Sequence, residues 1–186
     1  ELLKFTKNVL GTGAWASGGA LNLARTNLAG AGTQTAGLAF GGQSGGFKSE
    51  SEEYNGTSWS EGSNLNTAMA YLAGCGTQTA GLSIAGGSGG AEVAGTEKYD
   101  GTSWTEVNAL PIAKTEMGAF GTQTAAISAG GVDGPASAVT VNVETYDGTN
   151  WTETANINTA RYALTGAGIQ TSGLVFAGNV APKQQT

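Results

Sequence analysis

Residues 70–106 run Ala70-Tyr71-Leu72-Ala73-Gly74-Cys75, Gly76-Thr77-Gln78-Thr79, Ala80-Gly81-Leu82-Ser83-Ile84-Ala85 and Gly86-Gly87. After a loop they continue Thr96-Glu97-Lys98-Tyr99, Asp100-Gly101-Thr102-Ser103 and Trp104-Thr105-Glu106. Two short apolar runs are separated by a polar turn, and a third and fourth extended segment flank Asp-Gly. Asp-Gly and Asn-Gly between extended segments are strong hairpin signals, because both central residues of a type I′ turn take positive φ. The same wording returns at Asn55-Gly56 and Asp147-Gly148. The stretch therefore reads as four short antiparallel strands, in chain order a, b, c and d.

This unit recurs through the whole chain. Trp15, Trp59, Trp104 and Trp151 are 44, 45 and 47 residues apart. Ten positions after each come Arg25, Met69, Lys114 and Arg161; nineteen after, Gln34, Gln78, Gln123 and Gln170; twenty-seven after, Gly42, Gly86, Gly131 and Gly178. A four-stranded unit of about 45 residues stacks around an axis as a β-propeller blade, each sheet covering its neighbour's face. That accounts for runs such as Leu28-Ala29-Gly30-Ala31-Gly32, which are small or apolar on both faces. The tryptophans on strand d are expected to wedge between blades, as packing residues and not as ligand platforms.

The expected fold is all-β, one domain over residues 1–186, with blades at about 24–62, 68–107 and 113–154. The chain opens with a c–d piece at 4–17 and closes with an a–b piece at 160–179. Joined, these make a fourth, composite blade that closes the ring and removes the free sheet edge. A longer array of six or seven blades is the rival account. Glu1 in place of an initiator methionine leads us to expect a chain that is processed, truncated or only partly known.

Composition narrows the function. The net charge is −6, with 8 basic residues, so a basic face for nucleic acid or an anionic membrane is not expected. No apolar run reaches the roughly 18 residues of a membrane helix. The lone Cys75 allows no internal disulfide and occupies the position of Ala31, Phe120 and Ala167, where an apolar filler belongs. There is no histidine, so the commonest general base and metal ligand is missing. The carboxylates that recur in register have structural explanations, and no unique acid pair suggests glycoside cleavage. Neither an enzyme nor a cofactor is expected. Asn55-Gly56-Thr57 and Asn150-Trp151-Thr152 match the glycosylation pattern, which a threonine-rich chain produces by chance.

The Gly-Gly after strand b (Gly41-Gly42, Gly86-Gly87, Gly130-Gly131), the Tyr-Asp before a turn and Trp (Tyr99-Asp100, Tyr146-Asp147), and the basic residue opening strand a resemble the kelch family over nearly the whole chain. Met69 at one basic position and a first repeat without Tyr-Asp depart from that pattern. Copper oxidases built on kelch-like propellers depend on histidine ligands, so that activity does not carry over to a chain without histidine. More narrowly, the wording is similar to kelch-like arrays in tail and fibre proteins of marine bacteriophages. The resemblance implies a non-enzymatic virion module in a tail fibre, tail tip or capsid decoration, facing a host-surface glycan or protein and other virion proteins. A secreted lectin-like propeller of a marine bacterium and, more weakly, a glycan-active enzyme are the alternatives. Fold alone decides none of these.

Binding is expected on the face carrying the b–c loops, because variable loops on a rigid scaffold are the usual recognition sites. These are Gln43–Glu50, Ser88–Gly95 and Val132–Thr140, with Phe47, Lys48, Glu92 and Asp133 as their distinctive groups. Arg25, Lys114 and Arg161 open strand a toward the same face. Glu52, Glu97 and Glu144, seven before each Trp, either form a ring of charge with them or bridge to them structurally. Glu61, Glu106 and Glu153, two after each Trp, are expected to guard the outer strand edge. The Gln-bearing a–b turns are too alike to select a ligand. Individual contacts are expected to be weak, with affinity gained by multivalent display. Assembly into a homo-oligomer is compatible with the sequence.

Overall fold

The computed structural model describes residues 3–7, 13–134 and 138–180, with side chains from residue 17 onward. Among these residues all regular structure is β, and every ladder is antiparallel. A hairpin of β1 (Leu3–Lys7) and β2 (Gly13–Ser17) comes first. The first four-stranded sheet is β3 (Ala29–Thr33), β4 (Ala36–Phe40), β5 (Ser51–Tyr54) and β6 (Trp59–Glu61). The second is β7 (Ala73–Thr77), β8 (Ala80–Ser88), β9 (Ala91–Tyr99) and β10 (Trp104–Val107). After β11 (Lys114–Thr115), the third comprises β12 (Gly118–Thr122), β13 (Ala125–Ala129), β16 (Val143–Tyr146) and β17 (Trp151–Glu153). Short strands β14 (Val132–Asp133) and β15 (Ala138–Val139) form a small sheet with β11. A hairpin of β18 (Arg161–Ile169) and β19 (Ser172–Val180) ends the described chain.

In each full sheet the strand order equals the chain order, so a, b, c and d are four neighbouring strands of a meander. The sheets lie face against face. Phe40, Leu38, Leu65, Leu72 and Trp104 fill the space between the first and second sheets. Leu82, Ile84, Leu110, Met117, Tyr146 and Trp151 fill it between the second and third. Phe120, Ile127 and Val143 continue the core toward the last hairpin. Fully burying a side chain such as Leu38 or Phe40, which are 1% and 0% exposed, contributes about 1.5–3 kcal/mol. Small residues permit the approach: a Cβ on Gly74 would strike the Phe40 ring. The tryptophan wedge takes its expected place at Trp104, whose ring centroid is 4.9 Å from Phe40 of the preceding sheet and 4.9 Å from Tyr99 of its own. Trp151 is likewise buried. The surroundings of the Trp15 side chain lie outside the described residues. Exposed Glu61, Glu106 and Glu153 lie on the outermost strands β6, β10 and β17, where the edge is to be guarded.

Three local expectations change. The Asn-Gly and Asp-Gly loops are not two-residue type I′ turns: Tyr54 pairs with Trp59, Tyr99 with Trp104 and Tyr146 with Trp151, leaving four-residue loops. In each, only the glycine has positive φ, and the preceding side chain caps the loop. Asp100 Oδ1 accepts from Thr102 N and Ser103 N, both at 2.8 Å, and Asn55 and Asp147 do the same in their loops. Second, most of the expected loop Ser88–Gly95 is strand, because β8 and β9 run on to a two-residue turn at Gly89-Gly90. Both glycines have positive φ, 60° and 90°, which suits the twist of the flanking strands. Third, the expected Val132–Thr140 loop contains β14 and β15; its residues 135–137 lie outside the description.

Ring closure also differs from expectation. Among the described residues, those of 4–17 and 160–178 do not share a sheet; β1–β2 and β18–β19 are separate two-stranded sheets, giving six described sheets where four blades were expected. The inner strands pack in series, β3 on β7, β7 on β12 and β12 on β18. Leu174 and Phe176 on β19 remain 71% and 49% exposed, although they match Leu38 and Phe40 in the repeat.

Candidate functional site

Twelve positions after each tryptophan stand Asn27, Tyr71, Glu116 and Ala163. All four have positive φ, at 54°, 56°, 56° and 52°. Such a conformation is uncommon for any residue other than glycine and costs of order 1–3 kcal/mol each. A backbone ladder holds them there. Tyr71 N donates to Asn27 O at 3.0 Å, Glu116 N to Tyr71 O at 2.9 Å, and Ala163 N to Glu116 O at 2.9 Å. The chain of bonds runs from repeat to repeat along the inner strands. It turns the four side chains into one rim above Leu28, Leu72, Met117 and Leu164, with a groove of about 280 Å³ between rim and floor.

The floor is apolar in every repeat, whereas the rim carries an amide, a phenol, a carboxylate and a methyl group. Tyr71 and Glu116 are half-buried, and Asn27 and Ala163 are exposed. The arrangement offers an aromatic ring for stacking and two polar groups to orient a small polar molecule over an apolar base. The rim shares its face with the b–c loops: Thr26 bridges to Gln43, Ala70 to Gly87 and Thr115 to Val132.

The basic residues expected at this face turn inward. Arg25 Nη2 is 2.8 Å from Glu52 Oε1, and its Nη1 donates to Gly41 O and Glu50 O. Lys114 Nζ is 2.5 Å from Glu144 Oε2, with both side chains fully buried. Burial holds the Lys114 amine below the usual lysine range, an effect that Glu144 and then Asp133 oppose. These geometries match the bridging alternative, not a charged funnel. Arg161 donates to Ala177 O at 2.7 Å within its own hairpin.

At the Met69 position, Glu97 accepts from Asn66 N, Asn66 Nδ2 and Thr67 N, just as Glu52 accepts from Asn22 N and Leu23 N. The equivalent of Asn22 and Asn66 above Glu144 is Pro111, which has no N–H to give, and Glu144 Oε1 is buried without a partner.

The loop residues pack onto the following repeat. Phe47, half-buried, lies beside Gly87, and Glu92, a strand residue of β9, lies beside Gly134. Lys48 is half-buried, with its backbone bonded to Gly42 and Met69, and Asp133 pairs with Lys114 across β14 and β11. Phe47, Lys48, Glu92 and Asp133 thus share one face but are spread over three repeats, outside the rim groove. Among the described residues no cluster of His, Cys, Asp and Glu could hold a metal ion. Burial pushes the Cys75 thiol up to about 12, out of the reactive range.

The rim was not found by reading the sequence for motifs, because Tyr71 sits inside an apolar run. Its signal was positional: residue type changes freely at one fixed offset while the flanking offsets repeat. The conserved wording of the Gln turns also has a role that hairpin geometry does not explain. Gln123 Nε2 donates to Gly81 O at 3.0 Å and Tyr99 O at 2.6 Å of the preceding sheet. Gln78 and Gln170 clamp their preceding sheets in the same way.

No protein-family model matches this chain, and no curated protein matches it.

Proposed function

We propose that the chain is a recognition module built as a kelch-like β-propeller array, which binds a host-surface glycan through the rim groove and the b–c loop face. Its proposed setting is a phage virion, in a tail fibre, tail tip or capsid decoration. The observation that carries the reading is the rim: Asn27, Tyr71, Glu116 and Ala163 hold one costly backbone conformation yet differ in chemistry. Strain retained at one position in every repeat is expected where side chains must be aimed. A phenol ring flanked by an amide and a carboxylate over an apolar floor suits a sugar ring, which has apolar C–H faces and an equatorial belt of hydroxyls. The shallow groove of about 280 Å³ suits a weak single contact, and display of many copies on one particle would raise avidity. The virion setting rests on the repeat wording alone.

The test is a glycan array and host-cell adsorption with multivalent protein. Tyr71→Ala and Asn27→Ala are expected to abolish the signal, and exchange of residues 132–140 for 88–95 to narrow or shift it. Binding that survives both rim changes and the exchange would overturn the site. Absence of binding by every multivalent form would leave a purely structural role in its place.

A further inference from the structure

We propose that the two ends of the array are the two halves of one interface, and that a second copy of this chain joins them head to tail. The plug is the outer side of β19. Leu174 and Phe176 are 71% and 49% exposed, whereas their repeat equivalents Leu38, Phe40, Leu82 and Ile84 are at most 1% exposed because the following sheet covers them. The socket is the uncovered face of the first sheet. Internally, Phe40 packs with Leu65, Leu72 and Trp104 and over Gly74. The equivalents one repeat earlier are Leu21, Leu28, Trp59 and Gly30, and these line an open groove of about 490 Å³. Leu65, Leu72 and Trp104 are 4%, 7% and 6% exposed, while Leu21, Leu28 and Trp59 are only half-buried. Each end therefore displays the surface that its counterpart buries between internal repeats.

The edges agree with the faces. Strand β19 takes the part of strand b, and among the described residues it has no c neighbour such as β4 has in β5 and β8 has in β9. The hairpin β1–β2 is a c–d pair without a b strand, and it pairs Phe5 with Trp15 as Tyr54 pairs with Trp59. Plug and socket sit on one chain yet both stay open: Leu174 and Phe176 are exposed, and Leu21, Leu28 and Trp59 are half-buried. An identical socket on a second copy satisfies both face and edge. Two copies related by a two-fold axis close both junctions and pair the free edge of β19 with that of β1–β2. They would form eight blades, within the usual range of about 4–8. The internal interfaces supply the geometry, so the partner is a second copy and not an unrelated protein.

Sedimentation of the 186-residue chain from low to high micromolar concentration is expected to give a species of twice 18.5 kDa. The double variant Leu174→Glu/Phe176→Glu is expected to sediment as a monomer with an unchanged circular dichroism spectrum, since both positions are exposed in the isolated chain. A second measurement separates joining in trans from closure in cis. Chains carrying Phe176→Cys are mixed with chains carrying Leu21→Cys under mild oxidation, and the buried Cys75 stays silent. A disulfide-linked pair that appears only in the mixture supports the proposal. A wild-type monomer at every concentration, a dimer indifferent to the double variant, or a bond formed only within a chain carrying both cysteines would each overturn it. Glycan binding is not part of this readout, so either proposal can fail alone.

Discussion

Tyr71 and Glu116 hold a backbone conformation that glycine would take without strain, and their backbone bonds do not depend on their side chains. Replacing Glu116 by glycine is therefore expected to leave the melting midpoint unchanged or to raise stability by up to about 1 kcal/mol, while glycan binding falls. A clear loss of stability on thermal melting would mean that the Glu116 side chain supports the fold. Trp104 presents the opposite case. It is 6% exposed, sits between Phe40 and Tyr99, and cannot be removed without leaving a cavity between two sheets. Trp104→Ala is expected to cost about 3–5 kcal/mol in denaturant melting, whereas Trp59→Ala, on the uncovered first sheet, costs less. Equal losses at the two sites would show that the tryptophans act within their own sheet and not between sheets. Trp104 was legible as a repeat position and Glu116 was not; φ and burial are what separate a rim residue from a wedge.

Hairpins join these residues into sheets, and their turns do more than reverse the chain. Gln123 gives both amide hydrogens to carbonyls of the preceding sheet. Gln123→Glu keeps the shape but sets a carboxylate against two carbonyl oxygens. It is expected to destabilise by about 2–3 kcal/mol, the range for a lost buried donor and an unpaired charge; an effect no larger than at an exposed site would remove the clamp. At the same end of the sheets, where Gly101 lies against Thr79 and Gly148 against Thr124, backbone N–H groups of Ser103 and Thr102 hold the Asp100 carboxyl below the usual range, and those of Asn150 and Thr149 do so for Asp147. With the folded value depressed, this contribution is complete above the unfolded pKa of about 3.9 and is lost as the pH falls through the folded value. Asp100→Asn/Asp147→Asn copies the amide of Asn55. The double variant is expected to lose less stability than the wild type on acidification below about pH 4, as followed by urea midpoints. Parallel acid slopes would exclude these loops as the titrating elements.

Over the whole molecule, stability is a sum of sheet-on-sheet contacts, and among the described residues the last hairpin is less covered than the sheets before it. The second sheet is covered on both sides, so β8 is buried over most of its length, while β19 is mainly exposed. Amide exchange in dilute solution is expected to be fastest in β18–β19 and slowest in β7–β9. Uniform protection would mean that the last hairpin is already covered. This gradient could not be read from the repeat. The sequence alone determined what lies within about 45 residues: the strand order in each sheet, the tryptophan wedge and the acidic residues of the outer edge. Those follow from local pattern and fixed offsets, which every repeat states again. The choice between bridges and a charged ring for Glu52 and Glu144 fell to the structure. Only the tertiary structure decided which offset becomes a strained rim, that the Gln turns bond across sheets, and that the chain's two ends stay apart. These depend on how one sheet sits on the next. That is set by the joint packing of residues such as Phe40, Gly74 and Trp104 from different repeats, which no single repeat states by itself.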